Sequence, residues 1–208
     1  MSVGQFVFML HSHLPFYRKA GMWPFGEENL YECMAETYVP LLNAISELWD
    51  EGIKAKLTVG ITPILAEQLN DEHLKQGFIK YLDARIAAVA KDLDRYPDPK
   101  VEHSQHLKYL AKYYFDWFNN IKDCFVNKYG CDLIGNFKKY QELGCIEITT
   151  SGATHGFSPL LATDNNLNAQ FKVGQDTTKR MFGKKACGCW LPECAYRQGY
   201  EFVGKDGQ

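Results

Sequence analysis

Three histidines and a glutamate are the residues whose types and placement suit chemistry: His11, His13, His155 and Glu193. His11 and His13 stand two apart at the end of an extended apolar run, a spacing that sends both imidazoles to one face while Ser12 points away. Such a pair can ligate a metal, hydrogen-bond a substrate hydroxyl, or simply satisfy polar neighbours. His155 lies in Ser151-Gly152-Ala153-Thr154-His155-Gly156, where small side chains let a ligand approach the backbone. With Glu193, the three histidines have the composition of a zinc hydrolase's ligand set. Glu193 itself follows Trp190-Leu191-Pro192, which places a carboxylate beside an indole, a flat apolar neighbour suited to the face of a pyranose. A glutamate there is a solvated surface group unless a further feature singles it out.

The elements that must position these residues follow from the apolar patterning. Gln5–Leu10, Ala55–Ile61, Cys145–Thr150 and Lys185–Leu191 read as strands, each leading into one of the polar segments or closed by a proline. Between the first two, 28–51 carries apolar residues at helical spacing, with Pro40 implying a break or kink and Gly52 a stop. From Asp71 to about Glu142 the pattern is helical, interrupted at Pro97-Asp98-Pro99 and near Gly130 and Gly135. Leu167–Phe182 is a further helix. Strands alternating with helices, and chemistry at strand C-terminal ends, favour an α/β fold of barrel type over a doubly wound sheet. No glycine-rich phosphate motif follows any strand.

If Lys185–Leu191 runs regularly, Cys187 and Cys189 share the face of Glu193, and Cys194 follows directly. Their spacing misses that of paired zinc ligands, so small buried hydrophobes are the expected role. Glu147, inside the third strand, either supports the site from below or faces solvent.

The 208 residues carry a net charge of −2 and are 46 % hydrophobic, enough for one substantial core. Near-neutral charge without a Lys/Arg run leaves no footprint for nucleic acid. No apolar run spans a bilayer and no secretory signal is readable, so neither membrane association nor export is expected. Seven cysteines in no framework spacing suit a reducing compartment, and a cytoplasmic location is expected.

Three segments together resemble glycoside hydrolase family 57: His11-Ser12-His13-Leu14-Pro15, Glu147 through Phe157, and Trp190-Leu191-Pro192-Glu193-Cys194-Ala195-Tyr196. Trp23-Pro24-Phe25-Gly26-Glu27-Glu28, Ala35 through Leu42 and the long helical stretch are similar to the family's 1,4-α-glucan branching-enzyme subgroup. The resemblance covers nearly the whole chain. It implies an incomplete (β/α)7 barrel with a helical insertion at about 71–142 between the second and third strands, acting on α-1,4-glucans with retention of configuration. Glu193 is then the catalytic nucleophile, His11, His13 and His155 line the donor subsite, Trp23 and Trp190 add stacking surface, and no metal or cofactor is needed. In the family the acid/base group is an aspartate in a later region, and no aspartate of residues 1–208 matches its motif. The sequence stops fifteen residues after Glu193, in the turn-like Gly204-Lys205-Asp206-Gly207-Gln208.

The expectation is therefore the N-terminal part of a barrel domain, 1–208, without the rest of the barrel or a C-terminal helical domain, inactive alone. An open barrel of this kind would expose strand edges and an apolar face. Its partners would be an α-glucan and the missing C-terminal half. An α-amylase or 4-α-glucanotransferase of the same family, a metal-dependent hydrolase using His11, His13 and His155, and a non-catalytic glucan-binding fragment or half of a split enzyme are the alternatives.

Overall fold

Three short strands pair in parallel in the order β1-β2-β3: β1 (Met9–Ser12), β2 (Leu57–Ile61) and β3 (Ile146–Thr149). The computed structural model describes residues 3–96 and 102–199; Pro97-Asp98-Pro99 and Gly204 through Gln208 lie outside them. Leu10 pairs with Val59 and Val59 with Ile148, whereas His11 pairs with Gly60 and Gly60 with Thr149. Because side chains alternate faces, these rows divide the sheet into two unlike surfaces. Val59, Ile61, Ile146 and Ile148 are buried in a core shared with helices. The opposite face carries Met9, His11, Thr58 and Glu147 and is largely open.

The segment joining β1 to β2 is one helical rod made of α1 (Glu27–Cys33), a π-helical turn (Met34–Tyr38) and α2 (Val39–Asp50). Of the break or kink expected at Pro40, the structure shows no break but a π-helical irregularity just before it. Proline has no N–H and its ring crowds the preceding turn, and widening that turn to a Val39 N–H to Met34 C=O bond accommodates it while the rod continues. Leu30, Tyr31, Met34, Leu42 and Ile45 form its buried side, each contributing about 1.5–3 kcal/mol by burial.

Four helices lie between β2 and β3: α3 (Pro63–Asn70), α4 (Glu72–Arg95), α5 (Ser104–Asp123) and α6 (Leu133–Glu142). Asp71 caps α4 by accepting from the Leu74 N–H at 3.1 Å. Gly135 is no break; it lies in the first turn of α6, its N–H bound to the capping Asp132 at 2.8 Å. The helix α6 packs on β3, α3 and α2, whereas α5 packs on α4 and the turn that follows it. Last comes α7 (Asp164–Phe182), which starts earlier than its apolar pattern because Thr163 caps it through the Asn166 N–H.

Two strand expectations fail in instructive ways. The run Gln5–Leu10 is displaced: β1 begins only at Met9, and Phe6, Val7 and Phe8 are exposed. Pairing with β2 starts where the Thr58 N–H reaches Phe8 C=O at 3.0 Å. Lys185–Leu191 is not a strand. Its pairing is a single bridge between Thr150 and Cys189, with Trp190 N–H bonded to Thr150 C=O at 2.9 Å. The partner runs out because the chain leaves the sheet after Thr150.

Candidate active site

Beyond the C-terminal ends of the strands, four rings form a continuous stack. His13 lies 4.0 Å from His155 between ring centroids, His155 5.0 Å from His11, and His11 5.0 Å from Trp190, with interplanar angles of 17–30°. The His11 and His13 rings reach the same neighbour because two-residue spacing sends them to one side of the chain. Gly60 makes room at the sheet: a Cβ there would stand 3.3 Å from Nδ1 of His11 and 3.2 Å from Oγ1 of Thr149. That Thr149 hydroxyl is buried without a partner among the described residues.

Ser151 fixes the middle of the stack. Its single hydroxyl hydrogen is donated to Trp190 C=O at 2.8 Å, so the 2.9 Å contact with His155 is donated by His155 Nδ1–H. In the neutral ring this leaves Nε2 as an acceptor, and it lies 4.0 Å from Glu193 Oε1. Burial, reinforced by His13 and His11, pulls the His155 pKa down to about 4. Burial also lowers His11 and His13, against an opposing pull from the Glu193 carboxylate. The site is thus a row of neutral imidazoles beside a carboxylate. On the other side, His13 Nδ1 contacts the buried Thr62 hydroxyl at 3.2 Å.

Glu193 is presented differently from the expected strand end. Pro192–Cys194 is a single 3₁₀ turn in which Glu193 (φ +56°) and Cys194 (φ +54°) both adopt left-handed backbone. His155 shares that conformation at φ +56°. For residues with a Cβ this costs of order 1 kcal/mol or more each and clusters at functional positions. The turn leaves the Glu193 side chain 71 % exposed, against 2 % for His155. Because the preceding segment is not a strand, Cys187 and Cys189 do not form a regular face with Glu193. With Cys194 they are exposed free thiols rather than buried hydrophobes.

His11, His13, His155, Trp190 and Glu193 are therefore brought together, and Trp23 is not: it is 78 % exposed and makes no ring contact with the stack. Glu147 is exposed, two residues below the row His11-Gly60-Thr149, and does not support the site from beneath. Among the described residues no three His, Cys, Asp or Glu side chains are arranged to hold a metal ion. The imidazoles stack face to face, and Nδ1 of His13 and of His155 are engaged by hydroxyls. Ser151 and Thr62, which orient two of the histidines, carry no role in the sequence reading. Ser151 at least lies inside the motif containing His155. Behind the turn an open cavity of about 680 Å³ is lined by Leu161, Asp164, Leu167, Leu191 and Tyr196, but not by Glu193 itself. No helix among the described residues is long and apolar enough to cross a membrane.

Residues 7–203 match the family model of glycosyl hydrolase family 57. A 1,4-alpha-glucan branching enzyme of Thermococcus kodakarensis is 41 % identical over 201 residues, covering 96 % of this chain and 28 % of the relative. The crystal structure of a GH57-type branching enzyme from Pyrococcus horikoshii superposes with a TM-score of 0.86 at 39 % identity, over 92 % of this chain and 35 % of that one. The alpha-amylase AmyC of Thermotoga maritima gives a TM-score of 0.81 at 33 % identity, over 93 % and 36 %. The chain thus spans about a third of the length of these relatives.

Proposed function

The chain belongs to glycosyl hydrolase family 57, and from that premise we propose that it carries the nucleophile side of a retaining α-1,4-glucan site, with 1,4-α-glucan branching as the activity of the complete enzyme. The three-stranded sheet is then one arc of an incomplete (β/α)7 barrel, its open polar face the barrel interior, and α4–α5 the core of an insertion. This narrows the insertion from 71–142, since α6 packs on β3 and belongs with the barrel helices. Branching is favoured over hydrolysis and disproportionation by the branching enzymes among the relatives; alpha-amylase is the second reading, supported by AmyC.

One observation carries the reading: Glu193 stands on a strained left-handed turn, exposed and without a hydrogen bond of its own among the described residues, at the end of a stack of neutral rings. A carboxylate so presented can attack the anomeric carbon of a bound glucose. The C1–O4 bond breaks as the C1–Oε bond forms, and O4 takes a proton from a second carboxyl group. Retention requires that group about 5–5.5 Å away. No aspartate of this sequence matches the family's motif for it, so the rest of the enzyme supplies it. The 6-hydroxyl of another glucan chain, giving its proton back to that second carboxylate, then displaces Glu193, forming the branch and returning the free Glu193 carboxylate. His155 Nε2, held as an acceptor by Ser151, takes a hydrogen bond from a sugar hydroxyl, and Trp190 stacks against a glucose face. Trp23 joins the site only if its loop moves toward bound substrate.

The test is amylose incubated with this chain alone and together with the remaining two thirds of the enzyme, scoring reducing ends and α-1,6 linkages. New branches only in the combination, and none with Glu193→Gln, are expected. Reducing ends without branches would replace branching by hydrolysis, and branching by the Glu193→Gln combination would remove Glu193 from its role.

A further inference from the structure

Helix α5 carries a row of rings, exposed at its first three positions. His106, Tyr109, Tyr113 and Trp117 follow at spacings of three, four and four residues, so they line one side of the helix over about 16 Å. The rings of His106 and Tyr109 stand 6.3 Å apart at 22°, and those of Tyr113 and Trp117 6.2 Å apart at 18°. Each pair presents nearly parallel planes. Tyr109 is 66 % exposed and Tyr113 49 %, while Trp117 is half-buried and leans on the core. Past Trp117 the row opens into a cleft of about 230 Å³ between α5 and α2, lined in part by Asn43, Glu47 and Asn120.

The chemistry of this face selects its occupant. Every exposed large apolar side chain of α5 is a tyrosine, and the leucines between them, Leu107 and Leu110, are partly buried. An apolar protein partner would find few aliphatic knobs to pack. The row includes no Lys, Arg, Asp or Glu, which suits an uncharged ligand, and the nearby Lys112 is already paired with Asp116 at 2.7 Å. Flat rings edged by phenol hydroxyls, ending at amide and carboxylate groups, match a ligand with apolar C–H faces and a hydroxyl rim. A repeating polymer of such rings fits a repeating row. We propose that this face of α5 is a second α-glucan-binding surface, holding a polymer chain by stacking glucose rings on Tyr109, Tyr113 and Trp117.

The surface rests on the reading that the chain handles α-glucan, but not on the site at Glu193. Helix α5 packs on α4 and the turn after it, away from the strand ends. Its consequence is tethering: a long glucan held on α5 raises the effective concentration of its own chain ends at the barrel, and a short oligosaccharide gains nothing.

The experiment is native electrophoresis of the chain through gels containing glycogen, for the wild type, the double variant Tyr109→Ala/Tyr113→Ala, and Trp190→Ala. The two tyrosines are largely solvent-facing, so the double variant keeps the wild-type melting temperature. Retardation of the wild type, weakened about tenfold in the tyrosine variant and kept in Trp190→Ala, is expected. Retardation unchanged in the tyrosine variant and lost in Trp190→Ala overturns the α5 surface and leaves the α-glucan reading standing. An unretarded wild type also overturns it, and the branching assay then decides the α-glucan reading separately. Size exclusion is run in parallel: a wild-type dimer that the tyrosine variant converts to monomer makes the row an interface between copies, and the proposal falls.

Discussion

Glu27 and Glu193 are the same side chain held in opposite ways. Glu27, at the start of α1, accepts hydrogen bonds from the Lys19 N–H at 2.7 Å, the Tyr31 hydroxyl at 2.9 Å and His73 Nε2 at 2.8 Å. Burial alone would raise its pKa, and those three donors together outweigh burial and hold it below the usual carboxylate range. Glu193 sits on left-handed backbone, 71 % exposed, with His155 Nε2 at 4.0 Å and no hydrogen bond among the described residues. A carboxylate whose oxygens are already satisfied ties a loop to a helix. One held out on a strained turn with its oxygens open is available to a ligand.

The contrast breaks if the two substitutions behave alike. In the enzyme reconstituted with its remaining portion, Glu193→Gln is expected to lower branch formation by at least about a thousandfold, with a urea midpoint indistinguishable from wild type. Glu27→Gln is expected to do the reverse: a loss of about 2 kcal/mol in stability from weakened charge-assisted bonds, with activity per folded molecule retained. Denaturant titration and the branching assay on both variants check this. A large activity loss in folded Glu27→Gln would mean that the loop it anchors, carrying Trp23, takes part in the reaction.

The same division runs through what could be read from sequence. His11, His13, His155, Trp190 and Glu193 lie within short motifs: spacing and strand-end placement single out the histidines, the family resemblance singles out Glu193, and the fold gathers all five. Their supports were not legible, because the use of the Ser151 and Thr62 hydroxyls depends on the Trp190 carbonyl and the His13 ring arriving from 39 and 49 positions away. The alternation of Cys187, Cys189 and Leu191 reads as a strand, yet strand pairing needs a partner, and β3 offers one bridge before it ends. Positive φ at a glutamate leaves no compositional trace at all, unlike Gly52, whose φ of +78° follows directly from its residue type. Thr163 and Asp132 are N-cap residue types, and their caps set the start of α7 at Asp164 and keep Gly135 inside α6.

Acid separates the two regions further. Unfolded, His155 takes a proton near 6.5, and folded only near pH 4, so between those values the unfolded chain holds more protons and acidification favours it. The His155 contribution is fully present above about pH 6.5 and is lost as pH falls toward 4, with a slope of at most about 1.4 kcal/mol per pH unit. His11 and His13, also lowered, add in the same direction. Glu27 acts lower: its contribution is present above the unfolded carboxylate value of 4.5 and is lost as pH falls through its depressed folded value. Unfolding free energy measured from pH 7.5 to 3.5 should therefore decline in two stages, with His155→Gln flattening the upper one and Glu27→Gln the lower. A wild-type curve flat between pH 6.5 and 5 would contradict the burial of His155.

The smallest effect lies wholly in the helical region, at the start of α6, and tests whether its polar groups are structural only. Asp132 Oδ1 accepts from the Gly135 N–H at 2.8 Å, and Asp132→Ala should cost about 1 kcal/mol with activity unchanged. Gly135 has no side chain because a Cβ there would lie 2.0 Å from Asp132 Oδ2. Gly135→Ala in the wild type must therefore displace the capping carboxylate, and the lost cap offsets the helix propensity gained. In the Asp132→Ala background the obstacle is gone, and the same substitution should gain up to about 1 kcal/mol. The two changes are thus expected to couple by about 1 kcal/mol in a double-mutant cycle of urea midpoints. Additive effects would mean that a Cβ at position 135 leaves the capping carboxylate in place.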